Sequence, residues 1–184
     1  MPLPGLPRWL MLVMVLPLIR QPAAAWAQAA AECPAAAARV LQTTHGSWDV
    51  TWRDRVAPGR YDTTRARATI EPTAGGCGVL ERFAGSRDGQ PFSAVTLIGP
   101  AADDTLERVW QDSGHGVLLV FTGSAARRPL RFEWSRRLGE RTMRLRHTYL
   151  TIAPDSFVTE TELSTDDGRS WAVVAHLLYR RRAP

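Results

Sequence analysis

The residues able to do chemistry are few and scattered. The four histidines, His45, His115, His147 and His176, lie far apart, and no two have the spacing of a local metal pair. Imidazole ligates metals or carries a proton near neutral pH, and both tasks need partners in reach. His147 is the most informative, because it alternates in phase with Leu145 and Tyr149. It is either a ligand or hydrogen-bonding group of an interior cavity, or a core histidine satisfied by a backbone carbonyl. His176, in phase with Val174 and Leu178, is either an axial ligand for haem iron or an ordinary barrel histidine. His115 sits in a Gly-His-Gly turn, and His45 at a helix–strand joint. Asp103-Asp104 and Asp166-Asp167-Gly168 read as turn residues rather than an acid–base pair, since Asp-Gly makes hairpins. There is no G-x-S-x-G elbow, no H-E-x-x-H and no glycine-rich phosphate loop. No catalytic residue and no metal ligand is therefore assigned, and the balance leans away from an enzyme.

Charge and cysteines bound the rest. All 23 basic residues are arginine, which removes lysine Schiff-base chemistry. They are scattered, with short clusters at Arg127-Arg128, Arg136-Arg137 and Arg180-Arg181-Arg182, whereas a nucleic-acid site wants a continuous basic stripe. Arg8, an apolar run from Trp9 to Ile19 and Ala25-Trp26-Ala27 have the order of a signal peptide. The run of about 11 residues is short of the roughly 20 that span a bilayer. Cleavage is expected near Ala27, so the protein is read as periplasmic or secreted with no stable membrane span. The net charge then falls from +5 to +3, because Arg8 and Arg20 leave with a leader that holds no acid. In an exported chain Cys33 and Cys77 have one intramolecular pairing and are expected to form a disulfide. A redox or metal pair would want a C-x-x-C or a nearby histidine.

These groups must be positioned by strands. Pro34 and Ala35 to Leu41 favour a short helix. Ten strand candidates follow: Trp48–Arg55, Tyr61–Glu71, Cys77–Gly85, Phe92–Ile98, Thr105–Gln111, Val117–Thr122, Leu130–Ser135, Arg141–Ile152, Phe157–Leu163 and Trp171–Arg181. Turn residues separate them throughout, among them Ala57-Pro58-Gly59, Arg87-Asp88-Gly89 and Leu138-Gly139-Glu140. Such a meander is expected to close into an antiparallel up-and-down β-barrel, because closure removes its exposed edges. Leu130, Phe132 and Trp134, then Met143, Leu145, His147 and Tyr149, and Phe157 with Leu163, form the inward set. Val117 to Phe121 and the last strand are apolar on both faces, so alternation does not assign them. Eight strands can be filled by side chains, and ten leave more room.

Gly46-Ser47-Trp48, with Arg180 or Arg181 in the closing strand, resembles the Gly-x-Trp and Arg pair of calycin (lipocalin-like) barrels. More of the chain is similar to a family of exported bacterial proteins of unknown function with such a barrel. The matching pieces are Cys33-Pro34, Trp48-Asp49-Val50, Ile70-Glu71-Pro72, Gly75-Gly76-Cys77, Leu80-Glu81 and Val109-Trp110-Gln111-Asp112. Ser164-Thr165-Asp166-Asp167-Gly168, Ser170-Trp171 and Tyr179-Arg180-Arg181 complete them. The resemblance implies a fold and a small-molecule cavity, and supplies no substrate. Haem-binding nitrobindin-type proteins are similar barrels with a late axial histidine, a part only His176 could take.

The expected organisation is a signal peptide at 1–27, a tail and short helix at 28–46, and a calycin-like barrel at 47–182. The barrel is expected to bind a small hydrophobic or amphipathic molecule and needs no cofactor. Phe132, Trp134, His147, Tyr149, Trp110 and His176 are the cavity candidates, and Trp48 with Arg180 closes the bottom. A haem protein using His176, and a non-catalytic envelope interaction module with a filled barrel, are the alternatives.

Overall fold

A computed structural model describes residues 41–102 and 104–183. The expected signal peptide, Cys33, Asp103 and nearly all of the Ala35–Leu41 helix lie outside the described residues. What is described of that helix is its end, at 41–43.

Ten strands follow: β1 (Gly46–Ala57), β2 (Arg60–Pro72), β3 (Val79–Arg87), β4 (Gln90–Ala102), β5 (Thr105–Asp112), β6 (Leu118–Ser124), β7 (Leu130–Leu138), β8 (Arg141–Ile152), β9 (Ser156–Ser164) and β10 (Ala172–Arg181). Each pairs antiparallel with its sequence neighbours, and β10 returns to β1, so the sheet closes on itself. The turns are made by the residues that suit them. Asp88 and Gly89 both have positive φ, at 52° and 73°, and form a two-residue loop between the paired Arg87 and Gln90. β4 runs four residues past its expected end. Pro100 is accommodated there because the ladder shifts register between Pro100 and Ala102, where a missing N–H is tolerated.

Alternation sets the inside. Trp48, Val50 and Trp52 on β1, Phe83 on β3, Phe121 on β6, Leu130 and Phe132 on β7, Phe157 on β9 and Tyr179 on β10 are all buried. Small partners, Ala66, Ala68 and Ala94, leave room for the two tryptophans. One end of the tube is packed solid. Phe157 stacks on Tyr179 at 4.0 Å, and Trp48 meets Phe157 edge-on at 4.8 Å. Offset and edge contacts of this kind are worth about 0.5–1.5 kcal/mol each beyond burial.

The same end is closed by an arginine, and it is Arg181 rather than Arg180. Its guanidinium lies 4.2 Å from the Trp48 ring centre and donates to His45 O, Thr43 O and Pro154 O. Trp48 Nε1 donates to Thr44 O at 2.8 Å. Register explains the correction: Arg181 is opposite inward Trp48, while exposed Arg180 is opposite Asp49 on the outer face. Gly46 follows from this closure. With φ of 125°, a Cβ there would stand 2.4 Å from an Arg181 terminal nitrogen.

The wall has one weak line. β6 and β7 pair only at Thr122–Glu133 and Gly123–Phe132. Gly123 permits even this approach, since a Cβ would lie 2.5 Å from Arg131 O. Beyond these pairs a groove of about 470 Å³ opens between the strands, lined by Val120, Trp134, Leu145 and Trp171 among others.

Candidate functional site

Above the packed end the tube is not full. A cavity of about 220 Å³ extends to the barrel end where β1, β3 and β5 finish. Its walls are aromatic and aliphatic: Trp52, Phe83, Phe92, Trp110, Phe121 and Leu177. Trp52, Phe83 and Phe92 form one cluster with ring centres 5.0 to 6.2 Å apart. At the mouth Arg87 pairs with Asp54 at 2.8 Å. Burial pushes the Asp54 carboxyl up, and Arg87 pulls it back. Asp112, also at the mouth, accepts from Trp110 Nε1 at 3.0 Å and from the amides of Gly114 and His115. Burial works against its charge, but these donors prevail and hold its carboxyl below the usual range.

The floor carries charge. Arg108 takes the inward phase of β5 between Leu106 and Trp110 and is buried. Its guanidinium lies 5.1 Å from the ring centres of both Trp110 and Phe121, and Tyr149 stands beside it. Among the described residues no carboxylate oxygen lies within 4.0 Å of it, and its Nε has no hydrogen-bond partner. Glu81 on β3 is also buried and accepts from Tyr179 Oη at 2.8 Å. Burial raises Glu81 above its ordinary value, against the opposing pull of Tyr179, Arg108 and Thr96. The same burial pushes the Tyr149 phenol up from its ordinary value. His147 Nδ1 sits 2.9 Å from Thr161 Oγ1. Burial, and then the Arg108 charge, hold this imidazole well below its usual value, so it is neutral at pH 7. The Thr159 hydroxyl and the Trp52 indole N–H are further buried groups without a partner among the described residues. Native interiors leave few such groups, so two of them on residues that line one cavity, Arg108 and Trp52, call for an explanation.

The match to known proteins is then narrow. The family described as "Protein of unknown function (DUF1579)" matches residues 33–181, a span that takes in all ten strands. This chain belongs to that family. No curated protein matches it in sequence. Among solved structures, Rv2717c from M. tuberculosis is similar over 80% of this chain and 98% of its own, at 13% identity and a TM-score of 0.54. The S-type phycobiliprotein lyase CPES from Guillardia theta covers 79% of this chain and 92% of its own, at 11% identity and a TM-score of 0.47. Likeness at these identities concerns the fold alone.

In this DUF1579 barrel the residues expected at the cavity are spread over five environments. Trp110 and His147 line it. Tyr149 is buried and interacts with Arg108. Phe132 is fully buried in the packed end, 6.3 Å from Tyr149. Trp134 lines the β6–β7 groove, not the main cavity. His176 is on the outer face, opposite Arg53 and Glu160. The inward phase of β10 belongs to Ala175, Leu177 and Tyr179, which the alternation of an all-apolar strand did not reveal. The residues do not fit a haem held by His176, because that imidazole points away from the cavity. Among the described residues no group of three or more His, Cys, Asp or Glu is placed to hold a metal, and no helix is long and apolar enough to cross a membrane.

Asp166 and Asp167 make the β9–β10 turn. Asp166 accepts from Ser164 Oγ, Ser170 N and Ser170 Oγ, and Asp167 accepts from Thr142 N. Sequence reasoning missed Arg108, Glu81 and Tyr179. The signal was present as a charge in the inward phase, in Val79-x-Glu81-x-Phe83 and Leu106-x-Arg108-x-Trp110.

Proposed function

We propose that the barrel is a container for one small hydrophobic or amphipathic molecule. The carrying observation is the cavity of about 220 Å³ with eight Trp, Phe and Leu side chains in its wall. Apolar cavities with a few convergent polar groups are the usual form of a ligand site. The volume is that of about seven waters at roughly 30 Å³ each, which sets the ligand near the size of a substituted benzene ring. Its apolar body lies against Trp52, Phe83, Phe92 and Leu177. Binding excludes water from those faces and contributes roughly 25 cal/mol per Å² of apolar area covered. A panel of small hydrophobic fluorophores is expected to bind with loss of tryptophan emission, since Trp52 and Trp110 line the wall. Absence of binding by any member overturns the reading.

The compartment belongs to the same proposal. An exported chain cleaved near Ala27, with Cys33 and Cys77 joined, places the container in the periplasm or outside the cell. Mass measurement of the protein from its native host, before and after reduction, tests both points. A retained leader or two alkylatable thiols before reduction rejects them.

A further inference from the structure

Arg108 is the feature the container reading leaves unexplained. A guanidinium is always charged, and taking it out of water is costly unless another charge or several hydrogen bonds compensate. Arg108 has two aromatic faces beside it and the Tyr149 phenol, and its Nε is unpartnered among the described residues. Glu81, the other titratable group of the floor, gives its hydrogen bond to Tyr179 and acts on Arg108 only through its field, and no carboxylate among the described residues touches Arg108. Arg108 nevertheless lines the cavity.

We propose that the ligand is a monocarboxylic acid with an apolar body, bound as its anion with the carboxylate on Arg108 and the body toward the mouth. This rests on the container reading and names its ligand class. The anion supplies the carboxylate contact that the described residues do not, and charge-assisted bonds to guanidinium are about twice as strong as neutral ones. Neutral His147 adds no second positive charge, and burial favours the protonated, uncharged form of Glu81, so one buried cation matches one added negative charge. A phosphate monoester dianion would leave a charge uncompensated beside Glu81. At the mouth Arg87 is already paired with Asp54, and Asp112 leaves one carboxylate in excess, which disfavours an orientation with the acid outward. That excess also separates this site from a general anion sink.

The test is a series of acid and amide pairs of rising length, phenylacetic to 4-phenylbutyric, titrated at pH 7 by calorimetry. Each acid that binds is expected to bind at least about tenfold tighter than its amide. Arg108→Met is expected to abolish this preference while keeping amide affinity, and Arg108→Lys to retain part of it. The Arg108 Nε–H resonance of the unaltered protein should shift with acid and not with amide, which decides the matter even where Arg108→Met fails to fold. Equal affinities, an unmoved resonance, or a preference that survives in folded Arg108→Met overturn the proposal. Fluorophores that bind where no acid does would reject the acid and leave the container. Failure of every compound rejects both.

Discussion

Tyr179 on the closing strand donates its hydroxyl to Glu81 on β3 at 2.8 Å, with β1 and β2 lying between them in the wall. The bond satisfies a carboxyl that burial would otherwise leave without its donor. Tyr179→Phe removes one hydroxyl and keeps the ring stack on Phe157. It should lower stability by about 1–3 kcal/mol in denaturant titration. A change within about 0.5 kcal/mol would show that Glu81 does not depend on this donor.

The two floor groups titrate with opposite signs. Burial raises Glu81 above its ordinary value of 4.5, so the folded state holds that proton more tightly than the unfolded chain. Its contribution is full below about pH 4.5 and is lost as pH rises through the folded value. Glu81→Gln still accepts from Tyr179 and removes this slope, so its melting temperature relative to the parent should rise from pH 4 to pH 8. A constant difference would contradict the assignment.

His147 works the other way. Its folded pKa lies below the ordinary 6.5, through burial and then Arg108. Its stability contribution is full above about pH 6.5 and is lost as pH falls through the folded value. Thr161, Tyr149 and Arg108 face it, and Arg108 alone of these is charged there. His147→Gln should reduce the loss of stability below pH 6.5. An unchanged acid limb would mean that the imidazole is already free to protonate.

The closure separates two adjacent arginines. Arg181→Ala removes three backbone contacts and the cover over Trp48, and should cost about 1–3 kcal/mol. Arg180→Ala should stay within about 0.5 kcal/mol, as an exposed substitution. Equal effects in thermal melts would contradict the register.

The β6–β7 line should be visible in hydrogen exchange. β6 amides beyond the Thr122–Glu133 pair that point toward β7 have no ladder partner, whereas β5 is paired along both sides. Exchange around Leu118–Val120 should therefore outrun that around Leu106–Val109. Equal protection would mean that the two strands are joined along their length in solution.

Much of the architecture was legible because period-two alternation and Asp-Gly or Pro-Gly turns are local signals. Trp48-x-Val50-x-Trp52 and Leu130-x-Phe132-x-Trp134 announce their inner faces without help. The site was less legible for physical reasons. Arg108 and Glu81 carry charges that sequence reasoning assigns to solvent, and only their phase between apolar neighbours says otherwise. His176 lies in a strand apolar on both faces, with a register shift between Val173 and Ala175, so no pattern tells which side it takes. The choice of Arg181 over Arg180 depends on one residue of cross-strand register, which the chain alone does not display.

Binding to a barrel whose lumen has been filled tests the container most directly. Ala175 lines the cavity, and Ala175→Phe would place a ring in it. The variant should unfold cooperatively and lose at least about tenfold in affinity for fluorophores that bind the parent, while the outer-face substitution Val158→Phe leaves binding unchanged. Undiminished affinity in folded Ala175→Phe would place the ligand outside the lumen and contradict the account.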